Sequence, residues 1–449
     1  YGARWLTSSS TRWTGLVQLT DVAATVLSYT DLEEPSAGTV GRMWRPATPH
    51  PGTAAETISQ LVGTDRAAQV FRTQSGPFFQ ILGVAQVIFF GGAYVLLRRD
   101  RKHRARILRA VQVVALGAAA FPVASSLANL ARWWRVERAD LVLWSTIMTI
   151  TAVVTALALA GPWRKRIYGP PGVVAALTAT VLAVDVSTGS NLQHASLLGL
   201  SPLVAGRFYG FGNIPYAIFV ASALVTAAAL AQWVIDAGHS RRVAAVAAAV
   251  VGLITVVVDG APQAGADVGG ILATIPGFTV LVLGVLGARV TVTRVVLAGL
   301  GAAALFALVA WLDWLRPAAS RTHFGTFFAD VLSGGAWTVV TRKAAASFGT
   351  LQRSPYYGWL VPVAYGVIIW LVRPPGDGAV PDAVQRWPVM RHLIWAGLLT
   401  GAVGFAVNDS GIIVPALLLT MGIPLLVSAV AAAGREAGVR PAPAESLRQ

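Results

Sequence analysis

From residue 78 onward the chain alternates between long apolar runs and short polar connections. Eleven apolar segments fall near 78–97, 108–130, 141–160, 171–187, 213–235, 243–258, 268–287, 295–312, 357–372, 391–407 and 411–433. A run of about 20 apolar residues with no internal charge is long enough to cross a bilayer as a helix. The pattern therefore predicts an all-α polytopic transmembrane bundle of about eleven spans. The segments at 171–187, 243–258 and 357–372 are short for a full crossing. Gly and Ala recur within the runs, as in "ALGAAA" and "LAGLGAAALFALVA". Small residues let helix backbones approach closely in lipid, so the bundle is expected to be tightly packed.

Residues 1–77 follow another pattern, polar and mixed. "GLVQLTDVAATVLSYTDL" reads as a short strand at Leu16–Leu19 and then a helix capped by Thr20 or Asp21, whose side-chain oxygens suit an orphan helix N–H. Pro35 to Pro51 is rich in Pro, Gly and Thr and reads as a loop. "TAAETISQLVGTDRAAQVFRTQ" has helical spacing and is expected to be an amphipathic helix, within a linker over 51–77. The chain opens at Tyr1 with neither Met nor a signal peptide, inside what reads as a folded segment, so a C-terminal portion of a longer protein is expected.

Composition sharpens this picture. Only 12% of residues are charged against 55% hydrophobic, whereas soluble domains carry about a quarter charged residues. The formal charge of +15 invites a nucleic-acid reading, but its distribution argues otherwise. Almost all of the excess lies in alternate connections: "RRDRKHRAR", "PWRKR", "DAGHSRR", "GARVTVTR", "RPPGDGAVPDAVQRWPVMR" and the tail "GREAGVRPAPAESLRQ". By the positive-inside rule these are cytoplasmic, which puts residues 1–77 outside the cell membrane and the tail at 434–449 inside. No nucleic-acid partner is expected, and membrane lipids are. With no cysteine, the chain has no disulfide, thiolate catalyst or Cys-based metal site. The six histidines, His50, His103, His194, His239, His323 and His392, are too scattered for a zinc motif.

On that topology the unusual polar sequences share the outer face. They are "DVSTGSN" (Asp185 to Asn191), "GRFYGFGN" (Gly206 to Asn213), "DGAPQAGADVGG" (Asp259 to Gly270), the loop 313–356 opening "DWLRP", and "VNDSG" (Val407 to Gly411). No charged residue lies near the middle of a predicted span, which disfavours ion-coupled transport. Candidate substrate contacts are Arg207, Asn213, Asp267, Asp313, Arg316, Asn408 and Asp409. Arg207 suits a bidentate grip on phosphate or carboxylate. Asp267 suits a helix cap, or a metal or hydroxyl ligand if other groups converge. Lys343 falls on a segment that reads as an amphipathic helix along the outer surface. The plain alternative stays open for all of them: Asp and Asn punctuate helix ends and turns, and Arg207 and Arg316 suit lipid headgroups.

Several of these stretches carry a resemblance. "TDVAATVL" at Thr20–Leu27 resembles the "TD(L/V)APT(L/I)L" pattern that closes the α/β domain of the alkaline-phosphatase superfamily, with Ala24 in place of Pro. "RFYGFGN", "GAPQAGADVGG" and "NDSGIIVPALLL" resemble the "RYYGIGNE", "GxPxxGADxGG" and "NDSGxxxPAxxL" motifs of Gram-positive polytopic membrane proteins that carry such a domain outside the cell. The chain departs from them at Ile214, where the group tends to have Glu. The resemblance implies that residues 1–50 are the remnant of that domain. It also implies phosphoesterase or phosphotransferase chemistry, on divalent metals and a Ser or Thr nucleophile that lie upstream of Tyr1, with no cofactor in this portion. The functional expectation is the membrane portion of such a cell-envelope protein, holding a lipid-linked or phosphorylated substrate at the outer leaflet and inactive alone. The alternatives are a transporter or flippase of an envelope precursor, with helices broken at Pro122, Pro276 or Pro415, and a non-catalytic envelope scaffold.

Overall fold

The computed structural model describes residues 4–30, 41–50, 52–100, 102–203, 208–317, 323–334, 336–353, 357–372 and 379–437. Its helices are α1 (Asp21–Tyr29), α2 (Ala54–Arg99), α3 (Arg104–Leu127), α4 (Ala139–Ala160), α5 (Gly169–Ser187), α6 (Asn213–Asp236), α7 (Arg241–Gly260) and α8 (Val268–Leu286). They continue with α9 (Val292–Trp314), α10 (His323–Leu332), α11 (Ala336–Arg353), α12 (Tyr357–Val372), α13 (Ala379–Arg386), α14 (Val389–Val407) and α15 (Ile413–Ala437). Among the described residues ten are long and apolar enough to cross a membrane, and α12 is a shorter apolar helix. Each of the eleven apolar segments lies on one of these, and the chain is a multi-pass membrane protein.

Helix α6 occupies the centre, packed by α5, α7, α8, α14 and α15. Nearly its whole circumference is buried, with Ala217, Ala221, Ala223, Ala227, Ala228 and Ala231 at the contacts. Lipid tails are as apolar as Leu, so association rests on close van der Waals packing, and small residues permit it. Gly277 of α8 serves the same end: a Cβ there would overlap Thr400 Oγ1 of α14. Successive spans alternate in direction, which gathers the basic connections at one end of the bundle. There Arg166 Nη1 meets Asp236 Oδ2 at 3.0 Å, the Tyr168 hydroxyl donates to the same oxygen at 2.8 Å, and Arg386 meets Glu436 at 2.5 Å. We call this end the basic face and the other the polar-loop face.

Several expectations change. The strand expected at Leu16–Leu19 is a turn-rich stretch instead; the pair that forms is β1 (Arg4–Thr7) antiparallel to β2 (Arg45–Pro49). Pro46 and Pro49 lack an N–H, which confines such a strand to an edge, and both strands of a two-stranded sheet are edges. Thr20 precedes α1 without a capping bond from its side chain. Residues 54–77 do not form a separate linker helix. Thr53 and Glu56 make a reciprocal capping box, and the helix then runs on through Pro77 into the first span. At about 1.5 Å per residue α2 is roughly 70 Å long, more than twice the hydrocarbon thickness. Its first half therefore projects from the polar-loop face, where Gly63 lies against Trp134 and Arg66 donates to the Glu137 carbonyl. The loop 313–356 contains α10 as well as the expected amphipathic helix, α11; the side chain of Lys343 lies outside the described residues. Helices α3 and α8 run unbroken through Pro122 and Pro276, and Pro415 stands in the first turns of α15.

Candidate functional site

The polar-loop face is built from short segments that fix one another through backbone groups. At the end of α5 the buried Asp185 carboxylate accepts the N–H groups of Leu192 (2.6 Å) and Gln193 (3.0 Å) and the Gln193 side-chain amide (3.0 Å). That closes the loop over 188–200 on itself. Asn129 ties the loop to α3 by donating to the carbonyls of Leu192 and His194, both at 2.9 Å, while Trp133 Nε1–H donates to its Oδ1. Ser190 Oγ then accepts the Gly210 N–H at 3.1 Å, and the Phe211 N–H donates to the Gly265 carbonyl at 2.8 Å. The "GRFYGFGN" and "DGAPQAGADVGG" stretches thus lie side by side. Gly210 has φ +72°, and a Cβ on it would overlap the Gly265 carbonyl oxygen, so the approach requires glycine.

Beneath these loops the polar-loop ends of α6, α8 and α14 meet. Asp259 and Asp267 are both buried, and the Asp267 N–H donates to the Asp259 carbonyl at 2.9 Å. The buried Tyr216 hydroxyl donates to the Gly270 carbonyl at 3.0 Å and lies 3.1 Å from Thr274 Oγ1. A Cβ on Gly270 would overlap the Asp259 carboxylate, which places that carboxylate against the start of α8. A Cβ on Gly269 would stand 3.5 Å from Asn408 Nδ2 and 3.7 Å from Asp267 Oδ1, so Asn408 and Asp267 flank the same glycine.

The "NDSG" stretch is both a turn and part of this cluster. Asn408 ends α14, and its carbonyl accepts the Ser347 hydroxyl of α11 at 2.7 Å. Gly411 has φ +49°, with Thr350 and Ser347 packed where a side chain would go. Asn213, the first residue of α6, donates from Nδ2 to Asp409 Oδ1 at 2.9 Å and to the Ser410 hydroxyl. The Asp409 N–H donates to Asn408 Oδ1 at 3.1 Å, which fixes the orientation of that amide. Asn408 is only 6% exposed, and among the described residues its Nδ2 has no hydrogen-bond partner.

The structure thus brings Asn213, Asp267, Asn408 and Asp409 to one end of one helix group. Asp313 and Arg316 pair with each other at 3.4 Å at the end of α9, where Asp313 also accepts the Gly325 N–H at 2.8 Å and so secures the start of α10. Arg207 lies outside the described residues. Sequence reasoning placed Asp185, Asp259 and Ser410 within the polar stretches of this face without naming them as candidate contacts, and it missed Tyr216. Asp259 was legible as the first residue of "DGAPQAGAD", whereas Tyr216, inside an apolar run, carried no signal. Ile214, at the position of the expected Glu, packs against the hydrophobic core. Among the described residues, no three His, Asp or Glu side chains come together as a metal site.

The N-terminal segment docks beside this cluster. Arg12 donates to the Pro262 carbonyl at 2.7 Å and covers the Tyr209 ring at 3.8 Å. Trp13 Nε1–H donates to the Phe208 carbonyl at 2.7 Å, and its ring stacks on His194 at 4.3 Å. Burial pushes His194 down to about 4, which leaves its ring neutral against Trp13. Within the segment, Asp21 accepts from Ser8 (2.7 Å), Ser10 (2.7 Å), and the N–H groups of Gln18 (3.1 Å) and Arg42 (2.9 Å). Burial raises its pKa, but these hydrogen bonds outweigh burial and hold it below the ordinary value.

Comparisons with protein-family models, with curated proteins and with solved structures found no match.

Proposed function

We propose that the chain is the membrane portion of a cell-envelope phosphoesterase- or phosphotransferase-like protein. In this reading the polar-loop face lies at the outer leaflet, the basic face is cytoplasmic, and the cluster at Asn213, Asp267, Asn408 and Asp409 holds a lipid-linked envelope substrate. The observation that carries it is the buried Asn408 amide, whose Nδ2, beside Gly269, has no acceptor among the described residues. An unpaired buried donor costs about 1–3 kcal/mol, and an acceptor oxygen on a bound substrate offsets that cost.

The surroundings favour one part of such a substrate. Asp259, Asp267 and Asp409 supply acceptors, so hydroxyl groups, as on a saccharide, fit them better than a bare phosphate does. A phosphate needs a cation as well, and Arg207 is the candidate in the sequence. Residues 1–50 then play the part of the remnant of the α/β domain, and the docking of Arg12 and Trp13 supports a place for that domain beside the cluster. The metal and nucleophile belong to that domain.

The test is binding of a polyprenyl-phosphate-linked saccharide to the full chain in lipid nanodiscs. Asn213→Ala and Asp409→Ala each remove a hydrogen-bonding group and should weaken binding roughly five-fold. Equal affinity in the wild type and both variants would remove the cluster from the site.

A further inference from the structure

A second feature lies away from the polar-loop cluster. Near its middle α2 is held to the bundle by Phe78, which stacks on Phe121 at 5.3 Å and lies 6.3 Å from Trp144. Toward the basic face, Phe89, Ala93 and Leu97 of α2 touch a small core formed by Leu108 and Val111 of α3 and Ala431 of α15. Helix α12 packs against α15, and its Val363, Val367 and Trp370 are exposed. Between α2, α12 and α15 runs a cleft of about 1240 Å³. That exceeds the roughly 300–1,000 Å³ of small-molecule pockets. Apart from Gln86 and Thr420, its walls between the two ends are aliphatic and aromatic, from Leu82 and Phe90 across to Leu360 and Leu419.

The two ends of the cleft differ. At the basic face Arg98 and Arg104 line it, from the last turn of α2 and the first of α3, and among the described residues no Asp or Glu does. The Arg98 guanidinium is braced over the Tyr94 ring at 4.9 Å. The nearest carboxylate in sequence, Asp100, is engaged by His103 at 2.8 Å. An apolar trough that ends at two arginines, at the depth where headgroups lie, complements an amphiphile with an anionic head.

We propose that this cleft binds an anionic phospholipid, with acyl chains along α2, α12 and α15 and its phosphate at Arg98 and Arg104. The lipid completes the packing of α2 and α12, the helices with the least protein against them on this side. The site is independent of the substrate cluster, since its lining includes none of Asn213, Asp267, Asn408 or Asp409.

The test is native mass spectrometry of the full chain released from detergent, with phosphatidylglycerol or phosphatidylcholine added as the probe. Wild type should retain phosphatidylglycerol in preference to phosphatidylcholine. Arg98→Gln/Arg104→Gln should lower phosphatidylglycerol retention roughly 30-fold, about five-fold for each arginine lost near anionic lipid, and leave phosphatidylcholine unchanged. Ala364→Trp fills the cleft without touching its charge and should lower phosphatidylglycerol retention too. Arg164→Gln/Arg242→Gln, exposed basic residues elsewhere on the same face, should leave it as it is. Equal retention of the two lipids by the wild type overturns the proposal. So does undiminished phosphatidylglycerol retention in the double arginine variant or in Ala364→Trp.

Discussion

Protonating His194 should loosen the N-terminal segment from the bundle. The ring stacks on Trp13 at 4.3 Å, and among the described residues its Nε2 has no hydrogen-bond partner. Its pKa is about 4 in the docked state, against about 6.5 for a histidine in water. The undocked state therefore binds more protons between those values, and docking weakens as pH falls through that window. At pH 7.5 both states are neutral and the effect is negligible. At pH 5 the undocked ring is almost fully charged while the docked ring is about one-tenth charged. The docking constant then falls by up to about 30-fold, or about 2 kcal/mol, the full amount where docking supplies all of the ring's burial, and the loss levels off as pH falls below about 4. Asp21 titrates outside that range: its lowered pKa gives stability that is complete above about 4 and lost only as pH falls below it. Hydrogen exchange of peptides covering residues 4–30, corrected for the intrinsic pH dependence, reads the opening constant. His194→Phe keeps a ring against Trp13 and does not titrate, so its opening constant should stay level from pH 7.5 to 5. Unchanged opening in the wild type refutes the reasoning, and so does an equal 30-fold rise in the His194→Phe variant.

Four further substitutions test the architecture of the polar-loop face. Asp185→Asn points an amide donor at N–H groups that need an acceptor. It should cost about 2–3 kcal/mol, seen as a lower Tm and faster exchange over 188–200. Gly210→Ala must hold φ +72° and displace the Gly265 carbonyl. It should destabilise by about 2 kcal/mol or more, and a wild-type Tm would contradict the close approach of the two loops. Asp313→Ala strips the Gly325 N–H of its acceptor and should raise exchange across α10 about ten-fold. Arg316→Ala, by contrast, removes a partner that is 61% exposed and should change stability by less than about 0.5 kcal/mol.

The helical bundle was legible because its determinants are local: charge-free apolar runs of the right length, alternating with basic connections. The run at 357–372 was legible as apolar and short, and it forms α12, shorter than the other spans. The N-terminal segment was less so. Its strands pair residues some forty positions apart, Arg4 with Pro49 and Thr7 with Arg45, and no period-two pattern announces either one. Asp21 read as a helix cap, yet it gathers four donors from 8, 10, 18 and 42, a role set by tertiary contacts. At the candidate site the sequence could name polar residues on one face but not which of them meet. Asn213 finds Asp409 almost two hundred positions away, whereas Asp313 and Arg316 find each other one turn apart. The same residue types serve both outcomes, and only helix packing separates them.

The central claim is that the cluster beside Asn408 faces a lipid-linked substrate. It is tested most directly by photolabelling the full chain in vesicles with a diazirine-bearing polyprenyl-phosphate saccharide and mapping the adducts by mass spectrometry. The account predicts adducts at the polar-loop ends of α6, α8 and α14, lost in Asn213→Ala and Asp409→Ala. Adducts that lie elsewhere, or that persist undiminished in both variants, would contradict it.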